Sequence, residues 1–144
     1  CNHGFASHAA VFYVRNVLGV EKIVCSPDLR IAGTIDLFAR SRTDGTYLIV
    51  DHKSNEKIDF TSPYGKCRGP IAHLDDCSFF HYALQLALYA YLLKYGKYVP
   101  YDAKFRCFIN HVTPKKAQLI ELPDMSTEIR DLVIDWLLKG GNRE

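Results

Sequence analysis

Residues 33–53 read GTIDLFARSRTDGTYLIVDHK and carry the clearest structural signal in the chain. Two segments rich in β-branched and apolar residues, Arg30–Arg40 and Tyr47–Lys53, lie on either side of a polar turn that contains Asp44-Gly45. An Asp-Gly pair between two such segments is among the strongest short signals for a β-hairpin. We therefore predict two antiparallel strands joined by this turn.

The register of this hairpin decides which charged side chains meet. If Asp44-Gly45 forms an even-numbered loop, Asp36 lies opposite Lys53, and Asp51 shares their face because side chains alternate with a period of two. An odd loop would turn Asp36 to the other face. The even register predicts two carboxylates and an ammonium on one patch of the sheet.

Such a patch suits metal-assisted phosphodiester chemistry. Two carboxylates held close together repel each other and bind a hard divalent cation well. Lys53 beside that cation would orient or deprotonate a water molecule, or stabilise developing negative charge. The alternative is a simple cross-strand ion pair between Asp36 and Lys53. We favour a site because the surrounding strands are apolar, and partly buried charges usually have a function or a partner.

The remaining pattern predicts one α/β domain over residues 1–144, with a mixed sheet flanked by helices in the order α-β-β-β-α-β-β-α. Apolar runs closed by glycine predict the helices Phe5–Leu18, Phe79–Tyr95 and Ser126–Lys139. Further strands are predicted at Glu21–Ser26, Lys104–Val112 and Ala117–Leu122. The second helix is apolar nearly all round, which is typical of a buried central helix.

Composition limits the function classes only loosely. Apolar residues make up 48% of the chain and charged residues 24%, which argues against disorder. A net charge of +2 neither requires nor excludes a nucleic-acid partner. We find no long apolar run and no signal-peptide pattern, so we expect no membrane contact and no secretion, but a cytoplasmic, nuclear or organellar location. Because the chain begins with Cys1 rather than Met, an excised or N-terminally trimmed domain is the expectation.

The cysteines give no local support for a metal site. The five thiols lack C-x-x-C spacing, which favours buried or incidental cysteines in a reducing compartment. They lie at Cys1, Cys25, Cys67, Cys77 and Cys107.

Three side chains with polar groups lie on one face of the otherwise apolar predicted helix Phe79–Tyr95. Tyr82, Gln85 and Tyr89 share it, at spacings of three and four residues. A glutamine on a buried helix needs hydrogen-bond partners. The alternative interpretation is a core helix whose tyrosine hydroxyls reach solvent.

Together these motifs resemble the RecB-like exonuclease branch of the PD-(D/E)xK nuclease superfamily, from the first helix to about Leu122. The matching motifs are G-x-x-D at Gly33–Asp36, D-x-K at Asp51–Lys53 and Q-x-x-x-Y at Gln85–Tyr89. The resemblance implies a restriction-endonuclease-like core. It also implies that Asp36 and Asp51 ligate Mg²⁺ or Mn²⁺, that the His52 backbone carbonyl is a further ligand and that Lys53 is the catalytic lysine.

The resemblance extends to positions outside the hairpin. It implies that Gln85 and Tyr89 line the site and hold the DNA backbone or the lysine. Many members carry a metal-ligating histidine on the first helix in a Gly-x-x-x-His setting, which His8 fits better than His3. Glu21 fits an acidic position that often lies just before the first strand.

Two positions depart from the family pattern. The middle residue of D-x-K is usually hydrophobic, whereas here it is His52, whose side chain we expect on the opposite face of the sheet. Some relatives hold an iron–sulfur cluster with one early and three late cysteines. Because no cysteine follows Cys107, we expect no such cluster.

The long segment Asn55–Ser78 is rich in turn-forming residues and carries basic and aromatic side chains. These suit a DNA clamp through phosphate contacts and base stacking, although an ordinary solvated loop fits equally well. We predict that Lys57, Lys66, Arg68 and Tyr82 contact DNA, with Tyr64 and His73 nearby.

The function predicted from the sequence is metal-dependent hydrolysis of DNA phosphodiester bonds, by an exonuclease acting on DNA ends. The alternatives are a structure-specific endonuclease or resolvase, an RNA endonuclease on the same fold, or a catalytically silent DNA-binding module. The intact set of Asp36, Asp51 and Lys53 argues against a silent module. The expected partners are DNA and a larger parent protein or a replication or recombination complex.

Overall fold

A computed structural model describes residues 16–54 and 57–140. Five strands form one mixed sheet in the order β1-β2-β3-β4-β5. Only β3 and β4 run parallel, and the other neighbouring strands are antiparallel. This confirms the predicted α/β class with a mixed sheet. The strands are β1 (Asn16–Ser26), β2 (Ile31–Arg40), β3 (Tyr47–Lys53), β4 (Phe105–Val112) and β5 (Ala117–Glu121).

Within the described residues, two α-helices follow the predicted order, α1 over Ser78–Tyr95 and α2 over Ser126–Leu138. Helix α1 lies on the connection between β3 and β4, since two parallel strands need a long crossover between them. Its side chains Leu86, Leu92 and Leu93 are almost fully buried, as expected for a central helix. Helix α2 contacts α1. No helix in residues 16–54 and 57–140 is long and apolar enough to span a bilayer.

The first predicted helix is wrong at its end. Asn16 to Leu18 belong to strand β1, and Gly19 lies inside that strand rather than after a helix. The strand pairs with β2 along its length, with a register shift between Val17 and Gly19. Val17 and Leu18 are exposed, so their apolar character does not mark a buried helical face. Pairing with β2 overrides the local pattern. The rest of this predicted helix lies outside the described residues.

The β2–β3 hairpin is confirmed, but its loop is longer than predicted. The last pair is Arg40↔Tyr47, which leaves a six-residue loop over Ser41–Thr46. The Asp44 carboxylate accepts a hydrogen bond from the Thr46 amide at 3.0 Å. Gly45 adopts a φ of 75°, which favours glycine. Asp44-Gly45 therefore lies within the observed loop as predicted. Side-chain hydrogen bonds inside this loop stabilise a wider turn.

The core has two parts, one on each face of the sheet. Ile35, Ile49 and Ile109 belong to the cluster that also contains the buried side chains of α1. Leu48 and Val50 belong to a smaller cluster on the other face. Because the sheet is covered on the α1 face, a charged residue at the end of β3 on that face is partly withdrawn from water.

In its described part, residues 57–77, the connection between β3 and α1 is held by buried side chains and local hydrogen bonds. Ile58 and Leu74 are buried anchors. A short 3-10 helix spans Gly69–Ile71, and an isolated bridge joins Lys66 to Asp75. These contacts order a segment whose composition alone indicates only turns.

Candidate active site

Strand β3 ends with an ion pair that is largely buried. The Nζ atom of Lys53 lies 2.9 Å from Oδ2 of Asp51, and Asp51 is only 7% exposed. Helix α1 contributes Tyr82, whose ring centroid lies 4.6 Å from the Lys53 ammonium. A cation over an aromatic face is attracted by the ring quadrupole. Lys53 is thus held by β3 on one side and by α1 on the other.

The pairing between β2 and β3 ends one residue before Asp36, which allows the Asp36 carboxylate to reach this site. The last pair before the site is Leu37↔Val50. Continued by one residue, this register brings Asp36 level with Asp51 rather than with Lys53. The predicted pairing is therefore wrong by two residues, because the loop is centred between Thr43 and Asp44 rather than between Asp44 and Gly45. The even number of loop residues is nevertheless as predicted, so Asp36 is not sent to the other face.

The Asp36 carboxylate takes the place of a backbone acceptor. Its Oδ2 accepts a hydrogen bond from the His52 amide at 2.8 Å. The amide and carbonyl of one strand residue point to the same edge of the strand. The His52 carbonyl therefore also faces the Asp36 side, where the resemblance expects it to bind metal.

The three charges do not cancel. Burial raises the pKa of Asp51, and the neighbouring Asp36 carboxyl raises it further, against the opposing effect of Lys53. Burial alone would lower the pKa of Lys53, but the hydrogen bond to Asp51 and its negative charge raise it. The Lys53 pKa rises because two carboxylates face one ammonium, and the same excess of negative charge adds to the effect of burial on the pKa of Asp51. The site lacks positive charge, which a divalent cation would supply.

Gln85 and Tyr89 contact each other one helical turn apart. Gln85 Nε2 donates a hydrogen bond to the Tyr89 hydroxyl at 2.9 Å, and Tyr89 is buried. The Tyr89 ring packs on the backbone of Gly33, where an added Cβ would lie 2.3 Å from Cε1 of the ring. The first and third sequence motifs therefore meet through Gly33 and Tyr89, while the described contact between α1 and Lys53 comes from Tyr82.

Two buried residues of β4, Asn110 and His111, lie beside the end of β3 and belong to none of the sequence motifs. Asn110 pairs with His52 and His111 with Lys53 in the parallel ladder. His52 is exposed, and its Nδ1 lies 3.2 Å from Asn110 Nδ2, on the face opposite to Asp51 and Lys53 as predicted. Asn110 Oδ1 is buried without a hydrogen-bond partner among the described residues. Since paired residues share a face, His111 lies on the Lys53 side.

The predicted DNA-contacting residues lie in different settings. Lys57 is exposed, with its Nζ 3.5 Å from Asp59, and Lys66 is bound to Asp75 at 2.6 Å. Arg68 is exposed. Tyr82 is half-buried against Lys53 rather than projecting from the loop.

The other acidic and histidine predictions have separate outcomes. Glu21 lies inside β1 rather than before it, which corrects that prediction. It has a φ of 51° and falls between the pairs Val20↔Leu37 and Lys22↔Ile35, level with Asp36. A positive φ is uncommon outside glycine, so the backbone is locally irregular there. His8 and His3 lie outside the described residues.

Comparisons with known proteins agree with this architecture. A crystal structure of a candidate exonuclease from Eubacterium rectale matches with a TM-score of 0.52 and 17% identity, which shows a shared fold. The match covers 92% of this chain and 47% of that one, so the chain spans about half the length of that protein. The structure of SSO0001 overlaps less, with a TM-score of 0.39, 17% identity and coverage of 76% and 40%.

The family comparison is the most extensive. A search of curated proteins gives no match. The family model of the PD-(D/E)XK nuclease superfamily, in contrast, matches residues 4–140, a range that includes every motif described above. The chain therefore belongs to the PD-(D/E)XK nuclease superfamily.

Proposed function

We propose that this chain is the nuclease domain of a RecB-like exonuclease that hydrolyses DNA from its ends with Mg²⁺ or Mn²⁺. The observation that carries the proposal is the buried carboxyl of Asp51, which lies beside the Asp36 carboxyl and 2.9 Å from the Lys53 ammonium. A lone structural ion pair needs no second carboxylate, and the second one costs energy through repulsion.

The donor set fits a hard divalent cation. Asp36 and Asp51 would hold the metal with the His52 carbonyl, and His8 is proposed as a further ligand. The excess negative charge at the site supports this assignment, since Mg²⁺ binds through one or two carboxylates together with water and phosphate oxygens. When bound, the metal supplies Lewis-acid stabilisation of phosphodiester charge and lowers the pKa of bound water.

Lys53 would act as a fixed positive charge. Its raised pKa keeps it protonated near neutral pH, which favours stabilisation of negative charge on the phosphate over abstraction of a proton from water. Asp51 and the Tyr82 ring restrict the lysine from two sides. Gln85 and Tyr89 would act as positioning residues that hold α1 against β2.

DNA is the proposed substrate and partner. Lys57, Lys66 and Arg68 are exposed basic residues of the segment between β3 and α1, and exposed basic residues suit contacts with phosphates. Lys66 would have to exchange its Asp75 partner for DNA. We further propose that the domain acts within a larger protein or a recombination complex in a reducing compartment. The free thiols of the described cysteines agree with such a compartment.

The decisive experiment compares linear DNA, covalently closed circular DNA and single-stranded RNA, each with EDTA, Mg²⁺ or Mn²⁺. An exonuclease degrades only the linear molecule and only with metal. Nicked circles would instead show an endonuclease, and cleavage of RNA alone would refute the DNA assignment. Lys53→Ala should abolish activity, whereas Lys115→Ala, a matched change at the exposed β4–β5 turn, should not. Binding without cleavage under all conditions would support a silent module.

A further inference from the structure

A second group of metal-ligating side chains lies where the β3–α1 segment meets α1. One ligand atom each from Cys67, Asp76 and His81 lies within 4.8 Å of the others. His81 Nε2 is already 2.7 Å from Asp76 Oδ1. The group contains a sulfur donor, whereas Asp36 and Asp51 of the candidate nuclease site offer only oxygen donors. The two groups therefore differ in the metals they would select.

The geometry points to a Zn²⁺ site, and we propose that Cys67, Asp76 and His81 bind this ion with water as a fourth ligand. Thiolate, imidazole and carboxylate are the three protein donors that zinc uses, in a tetrahedral arrangement. Zinc–ligand bonds of about 2.0–2.3 Å place tetrahedral ligand atoms about 3.3–3.8 Å apart. Atoms within 4.8 Å of one another reach this spacing by side-chain adjustments of about 1 Å.

The backbone brings the three donors together before any ion binds. The Cys67 amide donates to the Leu74 carbonyl at 2.8 Å, and the Asp76 amide donates to the Gly65 carbonyl at 3.1 Å. These bonds hold the two arms of the segment side by side, with Cys67 on one arm and Asp76 on the other. His81 lies in the first turn of α1. A preformed arrangement lowers the ordering cost of binding.

The metal would have to displace a proton. Burial raises the pKa of the Cys67 thiol, and the negative charge of Asp76 adds to this effect. Without a metal, Cys67 is therefore a neutral thiol, and its Sγ lies 3.7 Å from the Asp75 carbonyl. Binding should release a proton and be weaker at acidic pH, as for other thiolate sites.

The proposed ion would fasten the β3–α1 segment to α1 next to the nuclease site. His81 immediately precedes Tyr82, whose ring packs on Lys53. The segment between the arms that carry Cys67 and Asp76 includes Arg68, one of the proposed DNA contacts. A zinc ion here would thus stabilise both the start of α1 and the basic segment, without taking part in phosphodiester cleavage.

Co²⁺ is a suitable probe because its bond to a thiolate absorbs in the near ultraviolet. The full chain, reduced and stripped of metal, is titrated with Co²⁺ and then with Zn²⁺. We expect a thiolate–Co²⁺ band that saturates at one equivalent and is displaced by Zn²⁺, together with a rise in melting temperature. Cys67→Ser should remove the band. His81→Gln should weaken binding by more than the roughly 10–100-fold cost of losing an outer-shell partner.

Matched variants separate this site from the others. Cys25→Ser and His73→Ala change an exposed cysteine and an exposed histidine outside the cluster, and should leave the band intact. Asp36→Asn combined with Asp51→Asn should also retain the band, so this result does not depend on whether the chain is a nuclease. Absence of the band in the wild type, or its persistence in Cys67→Ser, would overturn the proposal.

Discussion

Gly33 of strand β2 and Tyr89 of helix α1 fit together only because residue 33 has no side chain. A Cβ at this position would lie 2.3 Å from Tyr89 Cε1, well inside van der Waals contact. Asp36 lies three residues further along β2. The contact therefore sets the distance between α1 and the strand that carries a proposed metal ligand.

Gly33→Ala should lower the free energy of unfolding by about 1–3 kcal/mol, because the added methyl group overpacks a buried contact. It should also reduce cleavage by displacing Asp36. Urea unfolding measures the first effect. Combined with Tyr89→Leu, the glycine change should cost little more, since the clashing ring is gone. Strictly additive costs would show that the two residues do not press on each other.

Metal removal should abolish cleavage while leaving the protein folded. Asp36 and Asp51 repel each other without a cation, so Mg²⁺ or Mn²⁺ should also raise the melting temperature. Thermal denaturation with and without metal measures this shift, and Asp51→Asn should remove it. Full activity in excess EDTA would be incompatible with the proposed site.

Asp36→Asn should separate stability from activity. The amide oxygen still accepts from the His52 amide, and the new N–H group can donate to Asp51, so the metal-free protein should gain about 1 kcal/mol. Cleavage should be lost because a charged ligand is gone. Asp36→Ala is the matched control, since it removes the acceptor and should cost about 1–3 kcal/mol. A destabilised Asp36→Asn variant would contradict the inferred repulsion.

The pH dependence of stability follows from Asp51. Its pKa is raised in the folded state above the ordinary 3.8, so the folded protein holds this proton more tightly than the unfolded chain. Its contribution to the stability of the metal-free protein should therefore fall as pH rises from about 4 to the folded pKa, and stay constant above it. The stability of Asp51→Asn relative to wild type should rise over the same range. An opposite slope would mean that Lys53 dominates the site.

Tyr82 tests the proposed restraint on Lys53. Tyr82→Phe retains an aromatic ring and should leave most of the activity. Tyr82→Leu removes the ring face, and a loss of about 0.5–2 kcal/mol corresponds to a fall of roughly two- to thirtyfold in kcat/KM. Single-turnover kinetics on linear DNA would measure both. Equal losses in the two variants would indicate that the hydroxyl, rather than the ring, matters.

Elements with local sequence signals can be predicted without the structure. Asp44-Gly45 marked the hairpin, the glycine after Tyr95 marked the end of α1, and the apolar run before it marked a buried helix. Asp36, Asp51 and Lys53 could be brought together in advance, because strand alternation limits a hairpin to two possible faces.

The relationships between distant segments are set by three-dimensional packing. The shifted centre of the loop placed Asp36 level with Asp51, and the parallel β3–β4 ladder brought His111 beside Lys53 from 58 residues away. Likewise, Gly33 of the G-x-x-D motif proved to pack against the Tyr89 ring. These contacts depend on how strands pair and how a helix docks on the sheet. Neither can be predicted from residues that are neighbours in the chain. Local patterns therefore predicted the elements, whereas packing between elements positioned the charges.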